Sequence, residues 1–355
     1  MRRLITQTLG FIVAIVFLFS GFVKLIDPVG TKIKMLEYFE VLHLDFLSPW
    51  VMSISIFLIL AEFGLGLFLL FGLYPKFTIR ALLWLTLFFL FLTWYSAYYN
   101  KVTDCGCFGD AIKLTPWETF YKNVVFLLMI LWLYFHYQYI KAYPSKKYAS
   151  AITHTILLAA FILSIYTLYH LPLIDFRPYA IGKNIKKGME IPPGAPQAKF
   201  KDIWYYKVNG KIKEFTTDEE PWNIPGAEFI DRKTIQLEEG YVPPIHDFSI
   251  ENEEEGDITE KVLSEPEIYL IISFDPEKIH PKAQTKINQY AKKQQDEGKK
   301  VIGLFSQIDN YKDQYIFPLY LTDQTTLKTM IRSNPGIIKL KKGTVKEKKA
   351  WRDLP

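Results

Sequence analysis

Residues 50–73 read Trp50-Val51-Met52-Ser53-Ile54-Ser55-Ile56-Phe57-Leu58-Ile59-Leu60-Ala61-Glu62-Phe63-Gly64-Leu65-Gly66-Leu67-Phe68-Leu69-Leu70-Phe71-Gly72-Leu73, with one charged residue, Glu62, and no proline. A helix rises roughly 1.5 Å per residue, so about 20 apolar residues cross a bilayer core, and this stretch is long enough. Similar runs lie near 5–26, 78–99, 119–140 and 150–171. Five spans are therefore expected, and the fold begins as a membrane bundle. Arg2 and Arg3 precede the first run as in a signal peptide, but no A-x-A site follows, so that segment is expected to stay.

The mean hydropathy of +0.07 averages two unlike halves. Residues 1–171 hold 13 Lys/Arg against 8 Asp/Glu, and residues 172–355 hold 29 of each. The second half is thus a charge-balanced soluble region with no basic excess to suggest nucleic acid. Among the connections, Arg2, Arg3, Lys76, Arg80, Lys141, Lys146 and Lys147 form a set without acids, while the opposite set mixes lysines with Asp27, Glu37, Glu40, Asp45, Asp104 and Asp110. The positive-inside tendency makes the first set cytoplasmic. The expected location is a bacterial inner membrane, multi-pass, with the C-terminal domain and the loop around residue 105 in the oxidising periplasm.

That loop, Asp104-Cys105-Gly106-Cys107-Phe108-Gly109, contains the only two cysteines of the chain. Gly106 permits the sharp turn that a bond between Cys105 and Cys107 needs, and such a bond would be strained and easily reduced. A redox pair, two inert thiols or half of a metal site all fit the spacing. A closed zinc site needs about four ligands and no further cysteine exists, so no metal is expected. Thr115-Pro116-Trp117-Glu118 reads as a capping box opening the fourth span, and its free N–H groups favour a nearby thiolate while Asp104 and Asp110 oppose it. Ser48-Pro49-Trp50 opens the second span in the same manner, and Tyr74-Pro75 and Tyr143-Pro144 each follow a span, a pattern of internal duplication or of ordinary capping. Glu62 is costly in lipid and is expected to face the bundle interior, as a functional acid or as a hydrogen-bonded packing residue beside Gly64 and Gly66. His136, His154 and His170 lie near span ends and read as interfacial.

The spans, the embedded glutamate and the Cys-Gly-Cys-Phe-Gly loop resemble the DoxX family, in particular its methylamine-utilisation MauE branch, over residues 1–141. The resemblance implies a four-helix core similar to quinone-linked disulfide-forming membrane proteins, with Cys105 and Cys107 catalytic and a quinone as the cofactor to look for. Those oxidases usually relay electrons through two cysteine pairs, and this chain has one.

Three regions follow: 1–171, the membrane bundle with a fifth helix; 172–241, a linker and β-rich segment; and 242–355. In the middle region, Asn209-Gly210 between Trp204–Val208 and Ile212–Phe215 marks a hairpin, and 228–236 reads as a strand. Beyond it come strand 268–274, an amphipathic helix 281–295, strand 301–305 and a short helix 324–331. Asn334-Pro335-Gly336 and the hairpin after it resemble the cis-proline segment of thioredoxins, and 244–250 resembles their opening strand. The implied domain is α/β and thioredoxin-like with Pro335 cis. Its C-x-x-C is replaced by Ser273-Phe274-Asp275-Pro276-Glu277-Lys278. Two functions remain open: a membrane thiol-disulfide oxidoreductase or its accessory, and a non-enzymatic assembly subunit of an envelope complex. Membrane lipid and envelope proteins are the expected partners.

Overall fold

The computed structural model describes residues 1–102, 106–238 and 240–355. The membrane half contains α1 (Arg2–Ile26), α2 (Pro28–Val41), α3 (Val51–Leu70), α4 (Pro75–Tyr99), α5 (Pro116–His136) and α6 (Lys146–Tyr169). All but α2 are long and apolar enough to cross a membrane, with α3 extended by the turn before it, so the chain is a multi-pass membrane protein. Val13, Phe17, Leu65, Ile79, Leu82, Ile130 and Leu133 form the bundle core. Helices α1 and α3 approach closely because Gly21 and Gly66 face the partner helix. A Cβ on Gly21 would lie 2.8 Å from Phe63 Cβ, and one on Gly66 would lie 3.0 Å from Leu18 Cγ.

Two connections differ from the sequence reading. Residues 28–41 form a helix rather than a loop: Asp27 Oδ1 accepts from Gly30 N at 2.9 Å and Pro28 starts the first turn. At 14 residues, and with Lys32, Lys34, Glu37 and Glu40, α2 is too short and too charged to span. Ser48 and Pro49 lie within a 3₁₀ turn, Asp45–Trp50, and Ser48 does not cap α3. The Thr115–Glu118 capping box is present at α5, so the two openings are unlike.

After α6 come α7 (Ile185–Met189) and a three-stranded sheet of β1 (Lys199–Val208), β2 (Lys211–Thr216) and β3 (Glu228–Glu238), ordered β2-β1-β3. Asn209 and Gly210 turn β1 into β2, both with positive φ, the requirement of a two-residue hairpin. A seven-stranded sheet is built from β4 (Glu251–Asn252), β5 (Gly256–Asp257), β6 (Ile268–Ser273), β7 (Lys300–Phe305), β8 (Leu319–Leu321), β9 (Gly336–Lys341) and β10 (Thr344–Ala350). Its order is β10-β9-β6-β7-β8-β4-β5, with β6, β7 and β8 parallel and β9 and β10 antiparallel. Helices α8 (Thr259–Ser264), α9 (Pro281–Asp296) and α10 (Gln324–Met330) join the strands.

Alternation along the central strands serves two faces. Leu270, Ile272, Ile302 and Leu304 enter one core, while Tyr269, Ile271, Val301 and Phe305 enter the other. Tyr179 and Ile185, within the stretch read as linker, pack into the first core, and Asn184 bridges to Thr344. Residues 244–250 form no strand. Ile245, Phe248 and Ile250 are buried, but the Ile250 N–H is taken by Thr259 Oγ1 at 2.8 Å and Pro243 and Pro244 carry no N–H to donate. Strand β8 escaped the sequence reading because it has only three residues after Pro318.

Candidate functional site

The described part of the cysteine loop, residues 106–109, lies where α1, α2, α5 and the sheet domain meet. Gly106 has φ +63, and a Cβ there would lie 3.1 Å from Lys34 Cγ, so glycine serves both the turn and the close approach of α2. Ser20 Oγ donates to the Cys107 carbonyl at 2.5 Å. Phe108 is buried against Phe19, with ring centroids 5.7 Å apart, and Lys122 Nζ stands 4.4 Å from its ring centre. Cys107 is half-buried, and the bond to Cys105 that a redox pair would form involves a residue outside the described ones. Cys105 and Asp104 lie outside the described residues.

Glu62 faces the bundle interior. Its carboxylate accepts from Lys24 Nζ at 2.6 Å, and the two side chains are 4% and 7% exposed. Lys24 Nζ also donates to Ser20 Oγ at 3.3 Å and lies 5.2 Å from the centre of the Phe89 ring. A chain of contacts thus runs from Glu62 through Lys24 and Ser20 to the Cys107 peptide. The sequence reading missed Lys24, counting it with a connection because it closes an apolar run. The available signal was its position four residues after Ser20, which puts both on one helix face. Glu62, Lys24, Thr86 and Cys107 border a cavity of about 30 Å³, and Thr86 Oγ1 is buried with no hydrogen-bond partner among the described residues.

Two larger spaces meet at the loop. Inside the bundle, an apolar pocket of about 270 Å³ is walled by residues such as Phe39, Leu58, Phe88 and Leu92, with Lys24, Tyr38, Thr93 and Cys107 at its polar points. On the other side, a polar cleft of about 340 Å³ lies between the membrane half and the sheet domain, bordered by Gly106, Asp110, Lys328 and Arg332. Gly106, Lys24, Thr31 and Lys34 line both spaces, so this short segment and the helix ends beside it form the partition.

Arg332 closes the partition from the sheet domain. Its Nε donates to Asp27 Oδ2 at 2.8 Å and its Nη2 to Asp110 Oδ2 at 3.0 Å, with the guanidinium side chain 8% exposed. Gly30 leaves room for this reach, since a Cβ there would lie 3.0 Å from Arg332 Nη2. Arg332 stands three residues before Pro335, whose peptide bond with Asn334 is cis. Asn334 locks the turn after β6: its Oδ1 accepts from Ser273 Oγ at 2.8 Å and its Nδ2 donates to the Asp275 carbonyl at 2.6 Å. The proline loop therefore sits over the cysteine loop, while Glu62 connects from below. Across the same seam, Lys32 has its pKa shifted down, by burial first and then by the facing Lys278 and Lys328 charges, partly offset by Asp275. Among the described residues, no cluster of His, Cys, Asp and Glu could hold a metal.

Comparison with known proteins gives one match. Residues 2–136 match the family model described as methylamine utilisation protein MauE. That segment runs from α1 through α5 and carries Lys24, Glu62 and the cysteine loop. No curated protein and no solved structure matches the chain.

Proposed function

We propose that this chain is an inner-membrane thiol-disulfide redox protein, an accessory of methylamine utilisation, whose reactive centre is the Cys105-Gly106-Cys107 loop at the periplasmic face. The observation that carries this reading is the partition: one loop borders a cleft lined by charged residues on one side and an apolar pocket on the other. A substrate dithiol entering the cleft attacks the Cys105–Cys107 bond as a thiolate. The S–S bond breaks, a mixed disulfide forms, and the second substrate thiolate displaces the loop sulfur. The substrate leaves oxidised, and the loop has taken two electrons and, with two protons, becomes a dithiol.

The pocket's apolar walls and few polar points suit a quinone, which when bound would supply a two-electron, two-proton acceptor. Lys24 and Tyr38 are the donors that would hold its oxygen, while Glu62 orients the Lys24 ammonium through their 2.6 Å contact. The sheet domain is read as thioredoxin-like without its thiols, supported by three parallel strands followed by an antiparallel hairpin and by the cis-proline loop. It presents no sulfur at Ser273–Lys278 and acts as a cover on the loop.

The test is thiol trapping of Cys105 and Cys107 in native membranes, followed by mass measurement. In quinone-depleted membranes the pair is expected to accumulate reduced and to be reoxidised on adding a soluble quinone analogue. A redox state indifferent to quinone, together with full complementation by Cys105→Ser/Cys107→Ser, would replace this reading with the assembly-subunit one.

A further inference from the structure

The polar cleft opens onto a wider trough of about 960 Å³, sharing Asp110, Lys113, Phe176 and His246 with it. The acids around the cleft and trough are already engaged: Asp27 and Asp110 by Arg332, Glu37 by Lys34, and Asp175 by Arg177 and Lys348. Lys113, Lys183 and Lys187 are exposed along the trough, and among the described residues none of the three has an ion-pair partner. At the seam, Lys32 faces the charges of Lys278 and Lys328, with Asp275 paired to Lys278. The surface leading to the cysteine loop is therefore cationic, although the chain outside the membrane half has no net charge.

We infer that this trough is the docking site for an acidic, extended polypeptide segment, the flank of the thiol substrate, which Lys113, Lys183 and Lys187 hold while its thiol reaches the loop. A small anion would leave the trough mostly unfilled. Its lysines stand on two walls, Lys113 on the membrane loop and Lys183 and Lys187 on the sheet domain, rather than converging on one point. Between them Pro178, Val242 and Pro243 offer an apolar floor for a chain's side groups. Charges placed this way raise encounter rates and select sign, with strong dependence on salt.

The polypeptide's identity as a redox substrate rests on the function proposed above; the binding does not. The experiment titrates the full chain in detergent with a fluorescein-labelled ten-residue Asp/Glu peptide and with its Lys counterpart, read by anisotropy at low and high salt. The acidic peptide is expected to bind and the basic one not, with affinity lost as salt rises. Lys183→Glu/Lys187→Glu should weaken binding about tenfold, and Lys113→Glu on the opposite wall should weaken it as well. Cys105→Ser/Cys107→Ser should bind as the wild type does, whether or not the pair is redox-active. Equal binding of both peptides, or no effect of the reversals, overturns the inference. So does capture of phosphatidylglycerol vesicles through these lysines with no peptide binding, which would assign the patch to lipid headgroups.

Discussion

Replacing Glu62 with Gln keeps the volume of the side chain and removes its charge, leaving the Lys24 ammonium in a bundle interior where its side chain is 7% exposed. The ion pair is 2.6 Å long, and the variant would leave the ammonium a neutral amide oxygen in place of the carboxylate, Ser20 Oγ at 3.3 Å and the face of Phe89 at 5.2 Å. Breaking a buried pair by removing one partner costs about 3–5 kcal/mol, because an uncompensated charge stays behind. The cation–π contact with Phe89 is already made in the wild type and offsets none of this loss, so a net destabilisation is expected. Removing both charges with Lys24→Met/Glu62→Leu deletes the penalty and should restore stability to the wild-type level or above, since apolar replacement of buried pairs is often neutral or gains roughly 1–4 kcal/mol. Thermal unfolding in detergent, followed by tryptophan fluorescence, compares the wild type, Glu62→Gln, Lys24→Met and the double variant. The expected order has both single variants well below the wild type and the double variant recovered. A Glu62→Gln protein as stable as the wild type, or a double variant no better than the singles, would refute the account of Lys24 and Glu62 as one mutually compensating unit.

Arg332→Ala should loosen the sheet domain over the cysteine loop and speed alkylation of Cys107 by an impermeant maleimide several-fold; an unchanged rate would mean that Arg332 does not cover the loop. Lys348 is pushed down to about 8 by burial and by the Arg177 charge, against the pull of Asp175. Its folded value lies below its unfolded one, so its stabilising contribution is complete above the ordinary lysine range near 10.4 and is lost as pH falls through about 8. Between pH 8 and 10 the sheet domain's resistance to protease should therefore rise in the wild type relative to Lys348→Met, and parallel pH profiles would count against the shift.

The membrane half was legible because hydropathy is a local signal: each span is decided by its own residues. Glu62 was legible for the same reason, as an acid alone in an apolar run. Lys24 was not, because its burial comes from α2 turning back at Asp27 and from the Gly21 and Gly66 contacts that bring α3 close. Within the sheet domain, the period-two strands and the Pro335 turn were readable, but the contribution of Tyr179 and Ile185 to its core was hidden in a proline- and glycine-rich stretch that reads as linker. Arg332 and Asp27 stand 305 positions apart, and no spacing rule connects them.

That long-range contact decides how the two halves act together. Arg332 lies on the strand-entry loop that carries Pro335, Asp27 caps α2, and Asp110 follows the cysteines, so one guanidinium joins three elements that each border the polar cleft. Two charge-assisted hydrogen bonds at a largely buried site are worth more than surface pairs, because neither acid regains full hydration when the arginine leaves. The domain therefore stays over the loop unless something supplies a replacement for those bonds or widens the seam. The Lys278 and Lys328 charges facing Lys32 work in the second direction, although Asp275 already holds Lys278 in an ion pair at 2.6 Å. Opening of this seam would uncover the cleft side of the cysteine loop, and Arg332 is the residue on which that opening turns.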